Sequence, residues 1–169
     1  DISSDRRKAI RAAAEELDIE IIGLHWLLVK PEGLYMNHPD DELRSRTRDY
    51  MIELIRCCAD LGGDRLVIGS PKQRDVVPEI TYDVAWGLAR DAFVSTLDEA
   101  AAKGITLCIE PLARSETNFI NTVREGMRMV DEIDHPNFKV HIDVKAMSDE
   151  GRPLGDIIRE AKGYVGHFH

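Results

Sequence analysis

The sequence is poor in features that mark several large protein classes. No apolar run reaches the ~18 residues that a membrane-spanning helix needs. No secretory or transit signal stands at its start. It does not begin with Met, so Asp1 reads as a processed end or an arbitrary cut. A net positive charge is lacking. The formal net charge is -9, whereas a general nucleic-acid binder needs a net basic face. Only a local basic pocket is left open. The cysteines are three, an odd number (Cys57, Cys58 and Cys108). The first two fall in a helical pattern and the third in an apolar strand. They read as buried free thiols of a reducing compartment, the cytoplasm. There is no glycine-rich nucleotide loop, no CxxC pair and no nucleophile elbow.

What is present is one domain's worth of chain. Of 169 residues, 43% are apolar and 31% charged, the balance of a soluble globular protein with a real core. The hydrophobic pattern alternates between two periods. Ser4 to Leu17 reads as a helix capped by Ser4, with Ile10, Ala13, Ala14 and Leu17 on one face. Ile19 to Leu24 reads as a short, mostly buried strand with Glu20 near its start. A loop through Pro31, Gly33 and His38-Pro39 leads to Asp40, which caps a helix running to Leu61, where Gly62-Gly63 ends it. Arg65 to Gly69 is the second strand. Thr81 to Lys103 is a long helix stopped by Gly104, and Ile105 to Ile109 is the third strand. Thr122-Val123-Arg124-Glu125 fits a capping box for a helix to about Ile133, broken by Pro136-Asn137. Phe138 to Ile142 is the fourth strand, Pro153 to Ala161 a short helix, and Tyr164 to Phe168 the fifth strand.

These strands are apolar without clean alternation and are separated by helices, which implies a parallel sheet covered by helices. No linker interrupts residues 1–169, so they form a single domain. Two architectures fit. A doubly wound open sheet of five strands is complete at about this length, whereas a closed eight-stranded barrel takes ~250 residues.

In parallel α/β folds function collects past the C-terminal ends of strands. The third strand ends in Glu110-Pro111-Leu112, the fourth in Asp143, and the fifth in His169 with His167 two residues earlier. Two carboxylates and an imidazole at one rim suit a divalent metal such as Mn²⁺, Mg²⁺ or Co²⁺ rather than a thiolate-type zinc site. One acidic residue after a strand is more often a helix cap or a solvated loop residue. Three in register carry more weight. His25 and Trp26 follow the first strand and could line a sugar pocket, with a surface His and a core Trp as the plainer alternatives. Ser70-Pro71-Lys72-Gln73-Arg74 is locally basic and could meet a phosphate or carboxylate, but reads first as a solvated loop. His141 lies inside its strand and reads as structural.

The pattern Ile109-Glu110-Pro111-Leu112, His141-Ile142-Asp143 and Gly166-His167-Phe168-His169 resembles the xylose-isomerase-like barrel superfamily. Within it, the chain is most similar to ketose 3-epimerases and sugar-phosphate isomerase/epimerase proteins. Glu110 and Asp143 stand 33 residues apart, and Asp143 and His169 26, as in those epimerases. The resemblance covers nearly the whole chain. It implies a five-stranded partial TIM barrel in which Glu110, Asp143 and His169 are metal ligands. Glu110 would also be one of two carboxylates exchanging a proton beside a sugar carbonyl. Glu116 would match a substrate-contacting glutamate; its plainer reading is a loop residue ahead of the Thr122 cap.

The sequence departs from the pattern where the epimerases carry a substrate-binding His. That position is Ala146, and Lys145, one residue out of step, is expected to point elsewhere. The resemblance also implies a strand before the first helix, and a fourth ligand and second catalytic carboxylate on a strand after His169. A piece so bounded is expected to associate with itself through unpaired sheet edges and to be inactive or nearly so.

The leading expectation is thus a divalent-metal-dependent isomerase or epimerase of a sugar or sugar phosphate, with no nucleic-acid or membrane partner. The alternatives are a non-catalytic, self-associating α/β piece with a vestigial site, and an apurinic-site endonuclease, which the charge and the few strand-end histidines disfavour.

Overall fold

The computed structural model describes residues 2–169; Asp1 lies outside them. Five parallel strands stand side by side in chain order: β1 (Gly23–His25), β2 (Arg65–Ile68), β3 (Thr106–Ile109), β4 (Phe138–Ile142) and β5 (Val165–Phe168). A doubly wound sheet reverses its order at a switch point. Strictly sequential order is that of a barrel wall, which removes the open-sheet alternative. The wall is also curled. Arg65 on β2 donates from Nε to the carbonyl of Gly166 on β5 at 3.0 Å. In a flat sheet those strands would stand three spacings apart, ~14 Å. The His25 and His169 rings, from opposite edges, have centroids 6.0 Å apart. The fold is a curled half-barrel.

The helices are α1 (Ser4–Glu16), α2 (Asp41–Leu61), α3 (Tyr82–Lys103), α4 (Val123–Ile133), α5 (Val144–Met147) and α6 (Leu154–Glu160). Their ends obey local chemistry. Asp40 Oδ1 accepts from the amides of Glu42 and Leu43 at 2.9 and 3.3 Å. Thr122 and Glu125 form the reciprocal capping box. Gly62 and Gly104 close α2 and α3 with φ of 89° and 69°, a conformation that a side chain would strain.

The main core lies between the outer face of the sheet and α2–α4. Leu66, Ile68, Leu107, Ile109, Val140 and Ile142 alternate along β2–β4 and are buried against Met51, Ile55, Ala89, Phe93 and Leu97. Full burial of one such large side chain is worth about 1.5–3 kcal/mol, so this layer holds the sheet against its helices.

Four local expectations fail for identifiable reasons. Ser3, not Ser4, caps α1, its Oγ accepting from Arg6 N at 3.3 Å. None of α1 is buried: Ile10 is 36% and Leu17 70% exposed. No described element covers that apolar face, and an ion pair from Arg7 to Asp60 at 3.1 Å ties the helix down instead. The first strand begins only at Gly23, because Asp18 takes φ 55° and Ile19 folds its amide back onto the Ala14 carbonyl at 2.9 Å. Ile19 and Ile22 are consequently exposed. Of the free thiols, Cys58 and Cys108 are buried but Cys57 is only partly so.

Candidate metal and sugar site at the strand ends

Each rim residue is set by the turn that follows its strand. Glu110 continues β3, its amide donating to Ile68 O at 3.1 Å. Its carboxylate lies across Gly69, where an added Cβ would come 1.7 Å from Glu110 Oε2. The glycine makes room for the acid. Asp143 ends β4 and caps α5, Oδ1 accepting from Ala146 N at 2.9 Å. That one-turn helix was not foreseen, being too short to show a period. His169 is stitched to the end of β4 and the start of α5: its amide donates to Ile142 O at 2.8 Å, and its carbonyl accepts from Val144 N at 3.2 Å.

His25, Trp26, Glu110, Glu116, Asp143 and His169 all line one cleft of about 280 Å³. Trp26 is 65% exposed and holds φ 56°, a strained conformation for an aromatic residue that turns its ring onto the cleft lip. Lys145 also reaches the cleft, contrary to expectation. Its Nζ stands 2.9 Å from Glu116 Oε1, an ion pair spanning two strand-end loops.

The stretch Ser70–Arg74 is not a solvated loop. Ser70 and Arg74 are each 2% exposed. Ser70 Oγ accepts from Leu28 N at 3.1 Å, and Arg74 Nη1 donates to Ile68 O at 3.3 Å. The remaining guanidinium nitrogens, Nε and Nη2, have no partner. Burial pulls Arg74 down to about 10, opposed first by the charge of Glu110. Burial in turn pushes the Glu110 carboxyl up to about 7; Arg74 draws it down, while Asp143 and Glu116 push it further up. A carboxyl poised near neutrality suits proton transfer.

Beneath the rim lies a group of three imidazoles, His141, His167 and His169, of which the sequence marks only His169 as a ligand. His141 is fully buried, and neither ring nitrogen has a hydrogen-bond partner of good geometry. Its ring stacks on His167 at 5.3 Å and meets His169 edge-on at 4.5 Å. Its Nε2 is 3.8 Å from Glu110 Oε1. Ligand atoms of His141, Asp143 and His169 lie within 4.8 Å of one another. The available signal was the two-residue spacing of His141-Asp143 and His167-His169, which puts each pair on one strand face.

No helix is long and apolar enough to cross a membrane among the described residues. Over residues 1–169 the chain matches the family described as xylose isomerase-like TIM barrel. It is similar to the D-psicose 3-epimerase of Ruminiclostridium cellulolyticum, 30% identical over 138 residues, which cover 79% of this chain and 46% of that protein. It is also similar to the L-ribulose 3-epimerase of Mesorhizobium japonicum, 26% identical over 130 residues, covering 77% and 44%. The crystal structure of D-psicose 3-epimerase with D-tagatose from Clostridium cellulolyticum H10 superposes with a TM-score of 0.86 at 25% identity, covering 99% of this chain and 58% of that one. The chain thus spans about half the length of the curated relatives it matches. By sequence and by fold, it belongs to the xylose isomerase-like TIM barrel family.

Proposed function

We propose that the strand-end cleft is the metal-and-sugar side of a divalent-metal-dependent sugar isomerase or epimerase acting next to a ketose carbonyl, on a free sugar or a sugar phosphate. The observation that carries this reading is the convergence of Glu110, Asp143, His169 and Glu116 on one cleft. Asp143 and His169 would hold Mn²⁺, Mg²⁺ or Co²⁺ with Glu110; oxygen donors with imidazole fit these ions. When bound, the metal would hold the ketose oxygens and stabilise negative charge on them. Glu110 takes the proton from the carbon beside the carbonyl as the C–H electron pair enters the carbonyl system, and the reverse step returns it. Glu116, paired with Lys145, and the Trp26 face would bind sugar hydroxyls and ring. Inversion at carbon needs a second acid–base group on the opposite face. The resemblance puts that group on a strand after His169, so this chain alone is expected to be inactive or nearly so.

Support for the sugar side comes from the relatives, which carry epimerase names. The endonuclease alternative has only the imidazole group in its favour, against a net charge of -9. Saturation-transfer NMR with D-fructose or D-psicose and Mg²⁺ tests the reading. Ketose signals that require Mg²⁺ and vanish in Glu116→Ala are expected; signals indifferent to both would overturn it. Solvent deuterium entering the ketose with added Mn²⁺ would overturn the expected inactivity.

A second reading rests on a separate observation. β1 and β5 are each paired on one side only, and Ile10, Leu17, Ile19, Ile22 and Phe168 are exposed near these edges. Such edges associate, giving a homo-oligomer, with the cleft then vestigial. Light scattering after size exclusion is expected to show a mass that rises with concentration. A stable monomer throughout would exclude it.

A further inference from the structure

We infer that Lys145 is a specificity-determining residue of the cleft: with Glu116 it forms a donor–acceptor couple that reads two adjacent hydroxyls, a vicinal diol, of the bound ketose. This deepens the sugar reading above and rests on it. It gives Lys145 a task of its own, that of deciding which ketose is held.

The turns on either side fix the couple. Asp143 Oδ1 accepts from Ala146 N at 2.9 Å, which winds the chain into α5 directly after β4. Ser148 Oγ donates to the Lys145 carbonyl at 2.6 Å and tightens that turn. Opposite, Glu116 N donates to Ala113 O at 2.9 Å. The next residue, Thr117, is buried and donates from Oγ1 to Asp75 Oδ1 at 2.7 Å. Between these two anchored stretches, Lys145 Nζ donates to Glu116 Oε1 at 2.9 Å.

A purely structural role does not account for the pair. The Lys145 side chain is 77% exposed, and an ion pair so open to water adds little stability. The two loops are joined without it: Arg114 N donates to Asp149 Oδ2 at 2.9 Å, and Val123 N to Glu150 Oε1 at 2.8 Å. Among the described residues that line the cleft, Lys145 is the only one of fixed positive charge. Its neighbour on the same wall, Ala146, has no polar side-chain atom to offer.

The free valences define the ligand. An ammonium has three donors, and a carboxylate accepts on both oxygens. One donor and Oε1 engage each other; no other hydrogen bond among the described residues occupies the ammonium or Glu116 Oε2. One sugar hydroxyl can therefore accept from Nζ while its neighbour donates to Oε2. A lone hydroxyl satisfies only half of the couple. Both bonds are charge-assisted, and a site built to hydrogen-bond a hydroxyl rejects the analogue that lacks it.

The test uses the whole chain with saturating Mg²⁺, titrated with D-fructose and its single-deoxy analogues and read by saturation-transfer NMR. In the wild type, loss of either of two adjacent hydroxyls is expected to weaken binding about tenfold. Lys145→Met is expected to weaken D-fructose binding to a similar extent and to level the deoxy series. Lys145→Arg, which keeps a donor cation, is expected to preserve the ranking. Calorimetric Mg²⁺ affinity and melting temperature are expected to stay unchanged in both variants, a pattern that lost packing would not give. A Lys145→Met protein with wild-type affinity and ranking, or a flat wild-type deoxy series, overturns the inference; the sugar reading stands if Glu116→Ala still abolishes binding. A matching loss of Mg²⁺ affinity or melting temperature overturns it as well, by making Lys145 structural. A wild type that binds no ketose overturns both.

Discussion

The two faces of the β2–β4 wall are built on opposite principles. Toward the helices, Leu66, Ile68, Leu107, Ile109, Val140 and Ile142 are buried among apolar side chains and ask for no partner. Toward the barrel interior and rim, His141, Glu110 and Arg74 are withdrawn from water yet incompletely bonded. One face carries stability; the other keeps polar groups at a cost that only a ligand or a reaction would offset. The difference lies in alternate residues of the same strands, so one-residue steps along β4 pass from scaffold to site.

The largest expected effect comes from the outer face. Phe93→Ala leaves a hole beside Phe138, whose ring centroid is 5.1 Å away, and should cost about 3–5 kcal/mol of unfolding free energy in urea. A loss below ~1 kcal/mol would mean that the outer layer does not set stability.

The inner face should respond to pH instead. Burial pushes His141 down to about 4 from 6.5. Its unfolded form takes up a proton below 6.5 while the folded form does not, so this group costs stability as pH falls from 6.5 to about 4. Glu110, pushed up to about 7 from 4.5, acts the other way: the folded form keeps a proton that the unfolded form releases, so stability falls as pH rises from 4.5 to about 7. In metal-free protein the two oppose each other across the shared window. His141→Leu should leave melting temperature falling with pH there, and Glu110→Gln should leave it rising. Parallel profiles in wild type and both variants would show that these groups do not titrate as the buried site requires.

A smaller effect sharpens the contrast. In Gly69→Ala the new methyl takes the place of the Glu110 carboxylate, which must swing away. Mn²⁺ affinity should fall several-fold, while melting temperature holds or rises slightly, since Gly69 does not hold a positive φ and alanine lowers the entropy of the unfolded chain. Equal loss of both would place Gly69 with the scaffold. Smallest of all, Trp26→Ala should weaken ketose binding by only a few-fold and leave the fold untouched, because the ring is exposed.

Much of the fold was legible because short-range chemistry fixes it. The Asp40 cap, the Thr122–Glu125 box and the glycines after α2 and α3 mark real ends. Helical periodicity correctly grouped Ile10 with Leu17, but a period tells which residues share a face and not whether anything covers it. The late start of β1 follows from a positive φ at Asp18, an ordinary-looking residue. At the site, Glu110, Asp143 and His169 stood out by their common place at strand ends. Arg74 and Ser70 did not, since polar residues after a strand look like solvated loop until the chain folds over them. His141 reads as structural in the sequence for a related reason. β4 alternates Phe138, Val140 and Ile142 with Lys139 and His141, which groups His141 with a polar face but does not say what that face meets; only the curled sheet brings His141 to Glu110 and His169. Lys145 was misplaced because residue counting follows the strand, whereas α5 turns the chain immediately after Asp143.

The proposal on which the rest depends is a divalent metal site at the inner rim. It is tested most directly by calorimetric titration of chelator-stripped protein with Mn²⁺, comparing wild type with Asp143→Ala and Glu110→Ala. A single site weakened about tenfold or more in both variants is predicted. Identical weak binding in all three proteins would contradict it and mark the cleft as vestigial.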